Sequence, residues 1–242
     1  MKVAALCPTF RHPTLLQNSL ALWLNQTYPL SSRKLFILDD DPSFNSQSGD
    51  GWELVAVNQR LPSICDKYNT LLEMANGYDV ILVWEDDDIY LPRYVENYVN
   101  ALQNADLCYP SIVLSDYGGT IHKEQSGGRF HSAIGVKTEL LKKVGGWPKT
   151  KRADFDQILL SKLMQSCYKR ALPWPDTAKF WDIQFLYRWH TGHAHCQNTM
   201  KSPSDETWYD EAVNVYQKVP FVGKLTPKLD IFTSYVLELS KN

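Results

Sequence analysis

Short apolar runs alternate with longer amphipathic stretches over the first hundred residues. Val3 to Leu6 predicts a first strand, and the loop Pro8-Thr9-Phe10-Arg11-His12-Pro13 leads into a helical pattern from about Leu15 to Asn25. Lys34 to Leu38 predicts a second strand that stops at Asp39-Asp40-Asp41-Pro42. Ser43 to Gly51 is rich in Ser, Asn and Gly and predicts loop. Trp52 to Val57 predicts a third strand, and Ile64 to Asn76 a helix with Gly77 as its C-cap. Val80 to Trp84 predicts a fourth strand, followed by a helix that proline opens, Pro92 to Asn104. This alternation implies an α/β fold with a mostly parallel central sheet flanked by helices, and ligands gathered at the carboxyl ends of the strands. Three polar clusters fall at such ends: Thr9-Phe10-Arg11, Asp39-Asp40-Asp41 and Glu85-Asp86-Asp87-Asp88.

From Leu107 the character changes. Cys108 to Tyr117 and Gly119 to His122 predict strands joined by turns, and Gly127 to Val136 another. A helix from about Thr138 to Val144 is broken by Gly145-Gly146-Trp147-Pro148, and a second runs from Asp154 to Cys167. Phe180 to Trp189 is extended and aromatic, and the tail holds a helix near Trp208 to Gln217 and an apolar segment, Ile231 to Leu237. With no internal repeat or linker, residues 1–200 form one expected domain and 201–242 an elaboration packed on it.

The run Trp84-Glu85-Asp86-Asp87-Asp88 sits directly behind an apolar strand. Carboxylates so crowded repel one another unless water, donors or a cation offsets them, which points to a divalent metal site. A solvated acidic turn would explain the charges but not why they interrupt a core strand.

Bulk composition narrows the class only modestly. Of the 242 residues, 44% are hydrophobic and 21% charged, as in a folded soluble protein, and a net charge of −2 gives no global reason to expect nucleic acid as a partner. Cys7, Cys65, Cys108, Cys167 and Cys196 show no paired spacing, so reduced thiols and a cytoplasmic location are expected. The apolar stretch after Lys2 is too short for a signal peptide, and no segment has the length of a membrane-spanning helix.

Taken together, six segments in order resemble the family 2 glycosyltransferases, inverting enzymes of the GT-A fold that use nucleotide-diphosphate sugars. They are Cys7-Pro8-Thr9-Phe10-Arg11, Leu35 to Asp40, Lys67-Tyr68-Asn69, Glu85 to Asp88 with Pro92 beyond, Val144-Gly145-Gly146-Trp147 before Asp154-Phe155-Asp156, and Tyr187-Arg188-Trp189-His190. The resemblance covers about residues 1 to 195, with 1–105 as the nucleotide-binding half and 106–200, carrying a small mixed sheet, as the acceptor half.

The resemblance implies roles residue by residue. The loop with Pro8, Thr9 and Arg11 flanks the base or ribose, and Asp39 accepts from the uracil ring nitrogen, a pairing that discriminates uracil from cytosine. Asp40 and Asp41 fit a plain turn before Pro42 better than a ligand role. Lys67 lies near the diphosphate as a counter-charge, and Arg188 neutralises phosphate. Anchoring on Pro92 aligns Glu85 and Asp87 with the acidic metal motif and Asp88 with the acid that follows; a shift by one selects Asp86 and Asp88 instead. Asp87 is the preferred direct ligand to Mn²⁺ or Mg²⁺, Glu85 a ribose or water-mediated contact, and His190 completes the coordination. His193 and His195 read as ordinary histidines. The general base after the Gly-Gly turn is Asp154, with Asp156 second, and Gly145, Gly146 and Trp147 shape the acceptor side.

The expected activity is transfer of a hexose from a UDP-sugar, with inversion, to a hydroxyl acceptor. The alternatives are a nucleotidyl or phosphoryl transferase, whose Gly-rich phosphate loop is missing, and a non-catalytic sugar- or metal-binding module. A modified DNA base as acceptor rests on Lys142, Lys143, Lys149, Lys151 and Arg152 beside the acceptor site, a run that a solvated helix end and loop also explain.

Overall fold

The computed structural model describes residues 1–41, 44–189, 202–215, 223–239 and 241. Its centre is an eight-stranded sheet with the order β11-β7-β10-β5-β1-β2-β4-β3. The strands are β1 (Val3–Thr9), β2 (Arg33–Asp39), β3 (Gln47–Gly49), β4 (Trp52–Ala56), β5 (Val80–Val83), β7 (Leu107–Cys108), β10 (Gly135–Lys137) and β11 (Arg170–Ala171). β5, β1, β2 and β4 are parallel neighbours, whereas β10 runs antiparallel between β5 and β7. A second sheet, β6-β12-β8-β9, joins β6 (Ile89–Tyr90), β12 (Phe185–Tyr187), β8 (Ile112–Ser115) and β9 (His122–Gln125).

Both faces of the large sheet are covered, which is why its central strands read as continuous apolar runs. Val3, Ala5 and Cys7 pack with Leu16, Leu20 and Trp23 of α1 (Pro13–Leu24) and with Tyr94 and Tyr98 of α3 (Tyr94–Leu102). Ala4 and Leu6 point the other way, onto Tyr68 and Leu71 of α2 (Ile64–Met74), Leu140 of α4 (Thr138–Lys143) and Leu159 of α5 (Phe155–Ser166). α2 starts where Ser63 caps it, its hydroxyl oxygen accepting from the Asp66 amide at 3.2 Å.

The chain leaves β1 toward β2 on one side and comes back as β5 on the other, so β1 and β5 flank the switch point of the sheet. Pairing with β5 ends at Leu6↔Val83, while pairing with β2 continues to Thr9↔Asp39. The last three residues of β1 therefore overhang a crevice.

Several expected elements shift. Gln47–Gly49, expected as loop, is an edge strand because its backbone pairs antiparallel with β4 despite polar side chains. Gly127 to Val136 is mostly turn, with a 3-10 turn at His131–Ala133 and strand only from Gly135. The strand expected at Gly119 to His122 lies at His122–Gln125, and Phe180 to Trp189 contributes only the three residues of β12. Trp84 falls just outside β5 because the next amide, that of Glu85, turns to the Tyr90 hydroxyl at 2.7 Å instead of a strand partner. The tail carries α6 (Trp208–Val215) and α7 (Ile231–Leu239). α7 packs on the core through Thr233, whose hydroxyl accepts from the Asn18 amide at 3.0 Å. No helix among the described residues is long and apolar enough to cross a membrane.

Candidate active site

The crevice beyond β1 and β5 opens into a pocket of about 170 Å³ whose wall includes Pro8, Thr9, His12, Arg60, Lys67, Glu85, Asp86, Asp87, Trp208 and Tyr209. The acidic run splits around it. Glu85, Asp87 and Asp88 each bring a carboxylate oxygen within 4.8 Å of the other two, while Asp86 turns to the opposite side. There the Thr9 hydroxyl donates to Asp86 at 2.5 Å and His12 Nδ1 lies 3.4 Å away. Burial alone would raise the Asp86 carboxyl, but the charge of His12 and hydrogen bonds from His12 and Thr9 outweigh it and hold the group below its ordinary range.

Asp88 is buried against the opposite wall, accepting from the Ser132 hydroxyl at 2.5 Å and from the Arg188 backbone amide at 3.0 Å. Burial, and then the charges of Asp87 and Glu85, push its carboxyl well up. Three carboxylates gathered at a strand end form a hard-oxygen donor set that fits Mg²⁺ or Mn²⁺.

Glu85 is held from behind by a chain of hydrogen bonds. The Trp147 indole N–H donates to His131 Nε2 at 3.0 Å, so the ring carries its proton on Nδ1, which faces Glu85 Oε1 at 3.3 Å. The Tyr68 hydroxyl donates to the same oxygen at 3.2 Å, and its ring stacks on Trp147 with centroids 4.6 Å apart. Trp147 is therefore buried and structural in this arrangement, not a bare face toward a ligand. Its position depends on Gly146: a Cβ there would come within 2.5 Å of Asn69 Oδ1, the atom that accepts the Trp147 amide.

Behind the pocket, Asp40 is a hub rather than a turn residue. It meets Lys67 Nζ at 2.5 Å, Arg60 at 2.9 Å, the Leu61 amide at 3.0 Å and the Tyr209 hydroxyl at 3.0 Å. Lys67 also donates to the Thr9 carbonyl at 2.8 Å; burial lowers its pKa, and Asp40 opposes that. Arg60 lies between two rings, 3.7 Å from the Phe10 centroid and 3.9 Å from that of Tyr209. Asp39 has no exposed surface and is absent from the pocket wall. Its Oδ1 accepts the Asp41 amide at 3.1 Å, its Oδ2 has no donor, and burial pushes its carboxyl up to about 7.

Arg11 turns from the pocket to Asp41 at 2.8 Å, and the Arg188 guanidinium reaches Asp230, at 3.6 Å, and the Phe232 ring. What Arg188 contributes at the acidic cluster is its backbone N–H. His190, His193 and His195 lie outside the described residues.

A second pocket, about 300 Å³, shares Glu85, Phe155 and Tyr187 with the first and adds His131, Asp154, Asp156 and Gln157. Asp154 precedes α5 and is gripped twice by Arg152, at 2.8 and 2.6 Å, and those hydrogen bonds lower its pKa. Asp156 accepts from the Gln157 amide at 3.1 Å. The tail closes this region: the Pro203 carbonyl accepts the Asp154 amide and the Lys151 carbonyl accepts the Trp208 indole, at 2.9 and 2.8 Å. Arg60, His12, His131, Trp208 and Tyr209 have no signal in the local sequence pattern; their partners lie far along the chain, 46 residues for His131 and Glu85 and 169 for Tyr209 and Asp40.

No protein-family model matches the chain, and no curated protein matches it by sequence. Among solved structures, residues 1–349 of S. aureus TarS superpose with a TM-score of 0.62 at 13% identity, over 89% of this chain and 70% of that one. The same fragment in complex with UDP-GlcNAc gives 0.59 at 16% identity, over 89% and 71%. Mannosyltransferase PcManGT from Pyrobaculum calidifontis, in complex with GDP-Man and Mn²⁺, gives 0.53 at 20% identity, over 72% of this chain and 55% of that one. These similarities show the fold: the chain has the architecture of GT-A glycosyltransferases, as the six sequence segments implied.

Proposed function

We propose that the protein is a metal-dependent, inverting glycosyltransferase that moves a hexose from a UDP-sugar to a hydroxyl acceptor. The observation that carries this reading is the position of the acidic cluster: Glu85, Asp87 and Asp88 converge at the end of β5, and Glu85 stands in the wall of both pockets. One pocket then takes the donor and the other the acceptor, with the reacting carbon between them.

Asp87 and Asp88 would hold Mn²⁺ or Mg²⁺, with Glu85 at the ribose or at a bound water. When bound, the cation draws charge from the departing nucleoside diphosphate. Thr9 lines the donor pocket and would flank the base or ribose, while Asp39, in register with it at the adjacent strand end, is buried and would reach the base only after the loop over it moves. The orphaned Asp39 oxygen favours uracil, whose ring N–H supplies the missing donor. UDP and UDP-GlcNAc in TarS support this choice over the GDP-Man of PcManGT. On the other side, Asp154 takes the proton of the attacking hydroxyl as that oxygen bonds to C1 opposite the leaving diphosphate. Asp156, in the same wall, is the second candidate for this proton.

The test is calorimetric titration of UDP into the protein with and without Mn²⁺, comparing wild type with Asp87→Ala. The expected outcome is metal-dependent binding that the substitution abolishes. Absence of UDP binding in both conditions removes the uridine donor and leaves only the fold.

A further inference from the structure

Residues 203–210 line both pockets. Pro203 stands in the wall of the acceptor-side pocket beside Asp154, and Trp208 and Tyr209 stand in the wall of the donor pocket. The chain between them is held by its own hydrogen bonds. The Asp205 amide donates to the Ser202 carbonyl at 3.0 Å, and the Asp205 carboxylate accepts the Thr207 amide and hydroxyl at 2.8 and 2.9 Å, a turn that leads directly into α6.

On the acceptor side the ties run to backbone. The Ala153 amide donates to the Asp205 carbonyl and the Asp154 amide to the Pro203 carbonyl, both at 2.9 Å. The Trp208 indole N–H reaches the Lys151 carbonyl at 2.8 Å, and its ring lies parallel to that of Phe155 with centroids 6.3 Å apart. The exposed pair of Asp210 with Lys151, at 3.2 Å, adds little. Residues 151–155 are thus held along their backbone by the tail, whereas the grip of Arg152 on Asp154 comes from two residues away and moves with the loop.

On the donor side the tie is Tyr209. Its hydroxyl donates to Asp40 Oδ2 at 3.0 Å, its ring covers the Arg60 guanidinium at 3.9 Å, and its carbonyl accepts from that guanidinium at 3.4 Å. Asp40 holds Lys67 and Arg60 on its other oxygen, so one carboxylate joins α6 to two residues of the donor pocket wall. Tyr209 is buried, and burial pushes its hydroxyl pKa up, so at neutral pH it remains a hydrogen-bond donor. Adjacent residues of one helix therefore hold the two sides, Trp208 the loop that carries Asp154 and Tyr209 the hub behind the donor pocket.

Resting on the transferase reading above, we propose that Tyr209 and Trp208 are positioning residues that tie the general base to the donor pocket. Tyr209 anchors residues 203–210 on Asp40 and Arg60, Trp208 passes that anchorage to the loop at Asp154, and a nucleotide in the donor pocket steadies the base through them.

Amide exchange of Ala153 and Asp154, followed by NMR, tests the anchorage first without any ligand. Tyr209→Phe, which keeps the ring on Arg60 but drops the bond to Asp40, should speed exchange of both amides about threefold, and Tyr209→Ala about tenfold, with a smaller rise at Ala4 and Leu6 in β1. Trp208→Phe, which removes the N–H to the Lys151 carbonyl, should speed the same two amides from the other end. Unchanged exchange at Ala153 and Asp154 overturns the proposal, and so does an equal rise in β1, which would make these residues general stabilisers. Should Tyr209→Ala fail to fold, Tyr209→Phe decides. Saturating UDP with Mn²⁺ should then slow exchange of both amides in wild type, and by less in Tyr209→Phe; equal slowing in the two proteins, or none in wild type, overturns the coupling. Failure of UDP to bind at all counts against the donor reading, and the ligand-free comparison still decides the anchorage.

Discussion

On the donor side of Glu85 the ionisable groups are buried and already committed: Asp40 to Lys67, Arg60 and Tyr209, and Asp86 to Thr9 and His12. On the acceptor side they are more open, with the Arg152 and Asp154 side chains 40% and 21% exposed and Asp156 among turn and helix-start residues. On the donor side Thr9, Asp40 and Asp86 stand at the ends of the neighbouring parallel strands β1, β2 and β5, and their partners Lys67, Arg60 and Tyr209 close on them from α2, a loop and the tail. The acceptor groups come from a turn, a helix start and the tail, and depend on side-chain contacts for their placement. Loss of a charge should therefore damage the fold on the donor side and the chemistry on the acceptor side.

The largest expected effect is chemical. If Asp154 is the base, Asp154→Asn should lower kcat by about 10²–10⁴-fold while UDP affinity and thermal stability stay near wild type, and Asp156→Asn should cost much less. Steady-state kinetics on both variants decides between the two carboxylates; a reversed order moves the base to Asp156. Next comes the donor side. Asp40→Ala leaves the buried Lys67 without its counter-charge and should destabilise the protein by about 3–5 kcal/mol in urea unfolding, which an exposed pair would not do. A loss under about 1 kcal/mol would erase the contrast between the two sides.

Asp39→Asn sharpens the comparison through pH. The Asp39 carboxyl sits at about 7 when folded, against an ordinary 3.8, because burial disfavours its charge. A raised acid favours the folded state fully below about pH 4, and that advantage is lost as pH rises through 7. Asn mimics the protonated form and keeps an oxygen for the Asp41 amide. The variant should match wild type near pH 4 and exceed it at pH 8 by up to about 4 kcal/mol. It should also bind UDP less well, since an amide can turn a donor toward the base. Urea unfolding at several pH values reads the first effect and calorimetry the second.

The smallest expected effect is at Glu85. Trp147→Phe keeps most of the ring packing on Tyr68 but removes the N–H that fixes His131. The prediction is a shift of the His131 proton away from Nδ1, visible by ¹⁵N NMR, and a loss of about tenfold in kcat/KM, or about 1.4 kcal/mol. An unchanged tautomer would show that the Trp147 hydrogen bond does not set it.

Most of the donor half was legible from the sequence. β1, β2, β4, β5 and α2 follow from local apolar patterns, and the acidic run at the end of β5 follows from the abrupt change in polarity there. Strand β3 was not legible, since polar residues at a sheet edge are held only by the partner strand. The antiparallel β10 was misjudged in length because its neighbours Gly127 to Ala133 look extended by composition but fold as turns. The same division runs through the site. The sequence placed Glu85, Asp86, Asp87 and Asp88 together as neighbours in the chain, yet it left two registers open.

By itself, then, the sequence determined the alternation of elements and the stretches where charge meets the strand ends, because both are set by residues within a few positions of one another. Only the tertiary structure decided that Asp86 faces Thr9 and His12 while Glu85, Asp87 and Asp88 face one another. It also decided that Arg188 offers a backbone amide instead of its guanidinium, and that Tyr209 closes on Asp40. Side-chain direction at the end of a strand is set by what packs against it from distant segments, and no local pattern encodes those partners.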